Sequence, residues 1–202
     1  MNATDKVIFF DTETGGLSAD RHPLIQLSAA VVRWDTLDVL EEYERKIRFD
    51  ESRCEAQALS LNSYSAMLWA DARPQSEVIW EFADLCRKYA CIEKVSKAGK
   101  TYRVAQLAAY NAAFDMDFLQ HACREHKIFL PAEMQGWCVL QRAKWFFAEN
   151  GHLLKPASFK LTDVCAALGV EHLNAHDACG DNYAQIGVVK RMRMFEGICN
   201  AT

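Results

Sequence analysis

The chain has no long apolar run, no cysteine pair at metal-knuckle spacing and no excess of basic residues. Each absence removes a class of protein. No window approaches the roughly 18 uninterrupted apolar residues of a membrane span, so no membrane partner is expected. The opening of the chain lacks a basic head followed by an apolar stretch, which argues against a secretory signal. A soluble, cytoplasmic protein is the expectation. There are only four prolines, and no linker, repeat or low-complexity tract divides the chain. Residues 1–202 read as a single domain, long enough at 50% hydrophobic content for a full-sized core.

Eight cysteines are scattered, at Cys54, Cys86, Cys91, Cys123, Cys138, Cys165, Cys179 and Cys199. No two of them are separated by two intervening residues, as zinc knuckles and thioredoxin-type motifs require. His121-Ala122-Cys123 followed by His126 lacks a second half-site and does not read as a zinc centre. The cysteines are expected to behave as small hydrophobes in a reducing compartment. A net charge of −4 argues against a broad nucleic-acid coat, which is normally basic. It leaves room for a site that handles phosphates through metal ions, and four clustered carboxylates would account for a charge of that size.

Periodicity supplies a coarse order of elements. Leu24 to Trp34 is an apolar, partly β-branched run suited to a central strand. Tyr43 to Phe49 alternates with period two, as an edge-side strand with one wet face does. Ser76 is a candidate N-cap for a helix over Glu77 to Ala90. Val104 to Tyr110 reads as a second buried strand and Met116 to His126 as a helix. Further helices are expected over Gln141–Glu149, Leu161–Leu168 (closed by Gly169) and Asp177–Met194. This order points to an α/β fold, a mixed sheet with helices on both faces. Between helix and strand, Lys94 to Arg103 carries Lys94, Lys97, Lys100 and Arg103; it reads either as a hairpin turning at Ala98-Gly99 or as a solvated loop.

Three motifs carry chemistry. Asp11 and Glu13 end the apolar run Val7-Ile8-Phe9-Phe10, and residues i and i+2 of a strand project from one face. Two carboxylates held that close repel unless one is protonated or a cation lies between them, and hard divalent cations bind through such oxygens. The second motif is Asn111-Ala112-Ala113-Phe114-Asp115, where a strand ends and Asp115 falls in the first turn of a helix, favoured there by the helix dipole. The third is His176-Asp177-Ala178-Cys179-Gly180-Asp181. Residues five apart on one helix lie about 140° from each other. His176 is therefore expected in the loop before the helix, Asp177 at its N-cap and Asp181 on its first turns.

Together these motifs resemble the DEDDh group of 3′–5′ exonucleases in order, residue type and spacing: Asp-x-Glu, then Asn-x-x-Phe-Asp, then His-x-x-x-x-Asp. The resemblance extends to Leu17 and Leu24-Ile25-Gln26-Leu27 and loosely covers nearly the whole chain. It implies a ribonuclease-H-like fold, with a five-stranded mixed sheet flanked by helices. It implies two divalent cations, magnesium or manganese, with Asp11 bridging both, Glu13 and Asp181 completing one site, and Asp115 acting through water on the other. His176 would be the general base, a task suited to a group titrating near neutral pH. The catalytic set is then Asp11, Glu13, Asp115, His176 and Asp181.

The implied partner is a single-stranded nucleic acid with a free 3′ end, DNA favoured, from which nucleoside 5′-monophosphates are released. RNA trimming is the alternative, because discrimination rests on one or two contacts to the 2′-hydroxyl. A non-catalytic binding module on the same fold is a further reading, disfavoured because all five chemical positions are present. The sequence names no protein partner and leaves a homodimer open. Candidate substrate contacts are Thr14, Leu17, Asn111 and Phe114. Leu17 aligns with a residue that wedges between the last two bases, or is a core leucine. Phe114 suits core packing or base stacking, and Asn111 contacts the phosphate or ends its strand. One departure is Thr14-Gly15-Gly16, where many members have Thr-Thr-Gly. His172, Asp117, Asp20 and His22 are expected to be structural or solvated.

Overall fold

The computed structural model describes residues 4–151, 154–172 and 178–197. The chain opens with a meander: β1 (Lys6–Thr14), β2 (Leu24–Arg33) and β3 (Val39–Lys46) pair antiparallel in sequence. A 3₁₀ turn at Glu51–Arg53 and the short α1 (Ala56–Leu61) lead to α2 (Gln75–Lys88). A hairpin follows, β4 (Ile92–Val95) against β5 (Thr101–Val104). Then come β6 (Leu107–Ala109), α3 (Ala112–Glu125), β7 (Trp137–Cys138), α4 (Val139–Asn150), α5 (Leu161–Leu168) and α6 (Ala178–Phe195). β6 runs parallel to β1 and β7 parallel to β6, giving a five-stranded mixed sheet ordered β3-β2-β1-β6-β7.

β1 sits at the centre, and its residues Val7 to Phe10 are buried on both faces. Ile8 and Phe10 belong to the core shared with α2 and α3, whereas Val7 and Phe9 belong to the core shared with α4, α5 and α6. Strand alternation thus divides the molecule: even positions of β1 address one helical layer and odd positions the other. Buried amides fasten the second layer. Gln185 Nε2 donates to the Phe10 carbonyl at 3.2 Å and to Asn182 Oδ1 at 2.9 Å, and Asn182 Nδ2 donates to Ser28 Oγ at 2.6 Å.

Several elements differ from their sequence-based bounds for identifiable reasons. The Val104–Tyr110 run is two strands, because β5 pairs with the hairpin while β6 pairs with the main sheet. The third strand is an edge strand with Glu42 and Glu44 exposed, but it begins at Val39, since a tight turn places Val39 opposite Val32. α2 starts after Pro74, whose fixed φ suits a helix entrance, and not after Ser76. α3 starts at Ala112, which keeps Asp115 in its first turn. α5 matches its expected bounds, closed by Gly169 at φ 66°. Among the described residues no helix is long and apolar enough to cross a membrane.

The basic segment forms the hairpin, with Gly99 at φ 76° in its turn. Cys91, just ahead of it, reaches the Lys6 carbonyl, and Lys94 pairs with Glu133. The hairpin is therefore attached where β1 begins, ~16 Å of strand from Asp11 at ~3.3 Å per residue.

Candidate active site

The division of β1 into two faces builds the site. Asp11 and Glu13 are odd positions, so they turn toward the layer containing α6, and Asp181 in the first turn of α6 meets them. One oxygen from each of Asp11, Glu13 and Asp181 lies within 4.8 Å of the others. Thr12, an even position, turns the other way and meets α3. Its backbone N–H and its hydroxyl both donate to Asp115 Oδ1, at 3.1 and 2.8 Å. Asp115 is buried and thereby fixed in orientation. Four carboxylates expected from three distant motifs are thus assembled around the end of one strand, three in a cluster and the fourth held beside them through Thr12.

Their electrostatics follow from crowding. The Asp11 carboxyl is pushed well above the usual carboxylate range, first by loss of hydration and then by the charges of Asp115, Glu13 and Asp181. Asp115 is raised as well, mainly by burial; the two Thr12 hydrogen bonds oppose the rise and Asp181 adds to it. Without a cation the cluster resists full ionisation. Hard oxygen donors at this density suit a divalent cation. The tempting histidine–cysteine group on α3 does not form a centre: His121 pairs with Asp20, His126 bonds Gln75 and Cys123 is buried.

A cleft of about 300 Å³ adjoins the carboxylates. Thr12 to Leu17 form one wall, α1 with Asn62 the other, and Phe114 lines it from α3. Leu17 is 81% exposed, which excludes a core leucine and leaves its side chain standing in the cleft. Phe114 packs on Phe118 with ring centres 5.0 Å apart and also lines the cleft. Thr14 also lines it, yet its hydroxyl donates to the Gly16 carbonyl at 2.8 Å, so its first task is to shape the loop. Asn111 is exposed at the start of α3 and its side chain makes no capping bond.

The departure at Gly15 has a steric cause. A β-carbon there would lie 2.5 Å from Cys54 Sγ and 2.8 Å from Pro23 Cδ. The chain that follows the 3₁₀ turn occupies this space, and Glu55 N–H donates to the Gly15 carbonyl at 2.7 Å. Threonine is thus excluded by a neighbour distant in sequence.

His176, the expected base, and Asp177, the expected cap, lie outside the described residues. His172, set aside as structural from the sequence, touches the site: its Nε2 is 2.5 Å from Asp181 Oδ1 and its Nδ1 is 3.3 Å from Thr162 Oγ1. No spacing rule could have found it, because the contact joins a residue that follows α5 to the first turn of α6. α1, a cleft wall, was also missed; at six residues it is too short to show a helical period. Asp117 is exposed, and His22 accepts from the Ser18 N–H and faces Glu55, as structural residues would.

No family model matches the chain, and no curated protein matches it. Solved structures do. The zinc-bound form of an E. coli exonuclease I–ssDNA complex superposes with a TM-score of 0.78 at 18% identity, over 96% of this chain and 42% of that one. E. coli exonuclease I with a dT13 oligonucleotide gives 0.76 at 18% identity, over 95% and 43%. A further exonuclease I structure gives 0.77 at 19% identity, over 94% and 41%. The chain spans less than half the length of these proteins. Across that span it has the ribonuclease-H-like fold that exonuclease I displays.

Proposed function

We propose that this chain is a divalent-cation-dependent 3′–5′ exonuclease of the DEDDh type, which hydrolyses single-stranded DNA from its 3′ end to nucleoside 5′-monophosphates. The observation that carries the reading is the convergence of Asp11, Glu13 and Asp181 oxygens within 4.8 Å at the end of the central strand. The donor set fits hard cations: Asp11, Glu13 and Asp181 would hold one, and Asp11 with Asp115 through water a second. When bound, two such ions activate a water and neutralise charge on the phosphate oxygens.

The chain's own groups supply position and proton transfer. Thr12 holds the Asp115 carboxylate in one orientation through two hydrogen bonds. Leu17 and Phe114 present apolar surface to the terminal bases across the cleft. His176 is assigned the proton from the attacking water, on the strength of the motif, and His172 orients Asp181. The preference for DNA leans on the dT13 and dA16 strands held by the E. coli exonuclease I structures. A cytoplasmic setting belongs to the same proposal, supported by seven free cysteines among the described residues.

The test is a panel of end-labelled single- and double-stranded DNA and RNA, digested with and without magnesium or manganese. Mononucleotide release from single-stranded DNA only with metal is expected. Equal or faster release from RNA would move the substrate to RNA, and no release from any strand would favour a binding module.

A further inference from the structure

A second cavity lies on the flank of α4, outside the carboxylate site, with a volume of about 520 Å³. Phe147 and Phe159 line it with their rings, the centres 6.1 Å apart at 73°. Phe147 is buried, whereas Phe159 keeps 37% of its surface exposed, an open ring face in an otherwise apolar hollow. Lys144 and Lys155 stand at the edges, and Lys144 Nζ is 6.0 Å from the centre of the Phe159 ring. Among the described residues no aspartate or glutamate lines the cavity, and neither lysine has a carboxylate within ion-pair distance. In a chain of net charge −4, two ammonium groups beside a part-exposed aromatic ring give this hollow a local positive charge.

The cavity is tied to both helices that deliver the catalytic carboxylates. The Phe159 carbonyl accepts the Tyr110 hydroxyl at 2.9 Å, and Tyr110 immediately precedes Asn111 and the helix carrying Asp115. On the other side Phe159 leads into α5, where Thr162 contacts the His172 ring that bonds Asp181. The wall of the cavity is thus joined by hydrogen bonds to the elements that carry Asp115 and Asp181.

Stacking surface flanked by unpaired cations is the chemistry that binds single strands without reading sequence. An apolar peptide would use the rings and gain nothing from the lysines; a polyphosphate would use the lysines and gain nothing from the rings. We propose that this cavity is an upstream subsite for the strand whose 3′ end occupies the carboxylate cleft, with a base against Phe159 and its flanking phosphates against Lys144 and Lys155. This rests on the exonuclease reading above and adds to it a surface that the sequence motifs do not contain.

The test compares a DNA dinucleotide with a longer oligonucleotide as substrates of the full chain. Phe159→Leu, and separately Lys144→Gln with Lys155→Gln, should raise KM for the longer strand about tenfold. They should leave kcat, and both constants on the dinucleotide, unchanged. The lysine pair should also flatten the log–log salt dependence by roughly 0.7 per charge removed. An unchanged KM on the longer strand, or equal losses on both lengths, overturns the subsite. If the unmodified protein cleaves neither substrate, the exonuclease reading fails instead. Strand binding by the same variants, measured by fluorescence anisotropy, then judges the cavity by itself: weakened binding supports it and unweakened binding overturns it.

Discussion

His172 Nε2 lies 2.5 Å from Asp181 Oδ1, so a histidine that belongs to none of the three motifs is bonded to a carboxylate that does. Two histidines four residues apart therefore have separable parts. His176→Ala should cost a proton-transfer contribution of ~10²–10⁴ in kcat, about 3–5 kcal/mol of barrier, with the metal-induced rise in Tm preserved. His172→Ala should instead raise the metal concentration for half-maximal activity by ~10–100-fold, with kcat recovered at saturating metal. Metal titrations of activity for both variants check this. A His172→Ala protein that loses kcat at saturating metal, beside a His176→Ala protein that keeps it, reverses the two assignments.

Metal binding should also show as stability. Asp11, Glu13 and Asp181 repel one another in the folded state alone, and a cation bound only there raises Tm by mass action. Manganese or magnesium should raise Tm in a dose-dependent way, and Asp11→Asn should abolish most of the rise. Calorimetry with increasing metal measures it; an equal rise in the Asn variant would place the bound ion elsewhere.

The raised carboxyl of Asp11 gives the metal-free protein a pH dependence of known sign. A carboxyl whose folded pKa exceeds its unfolded value, ~3.9 for Asp, binds more protons in the folded state at intermediate pH. Its favourable contribution is present below the unfolded value and is lost as pH rises through the folded one. In chelator, Tm of the unmodified chain should fall relative to Asp11→Asn as pH rises from about 4 toward neutrality, and added metal should stabilise more at the upper end. Parallel Tm–pH curves for the two proteins would show that Asp11 is not strained.

Gly15 supplies a steric prediction. Gly15→Thr introduces the residue that many of the exonucleases resembled by the motifs carry, but drives a β-carbon against Cys54 and Pro23. It should destabilise by about 1–3 kcal/mol. Adding Cys54→Ala should recover part of that loss, because one of the two obstructing atoms is then gone. Denaturant melts of the single and double variants measure both terms, and a neutral Gly15→Thr would mean that the loop shifts freely.

Much of this was legible in the sequence because the signals are local. Asp11 and Glu13 share a face by strand alternation, Asp115 falls in a first turn and α5 stops at Gly169, each within a few residues. What stayed hidden depends on contacts between distant segments. Cys54 excludes a side chain at Gly15, His172 returns to Asp181, and the run from Val104 to Tyr110 changes partners between two sheets. The basic segment shows the same limit: its turn at Gly99 is local, but its attachment at the start of β1 depends on Cys91 meeting the distant Lys6 carbonyl.

The assembly of four carboxylates at the end of β1 is most directly tested by offering a 5′-labelled linear single strand and a circular single strand of the same sequence, with manganese, to the unmodified chain and to Asp11→Asn. The unmodified chain should shorten the linear strand one nucleotide at a time from its 3′ end and spare the circle, while Asp11→Asn should leave both strands intact. Nicking of the circle, or undiminished shortening by Asp11→Asn, would contradict a 3′-end nuclease built on these residues.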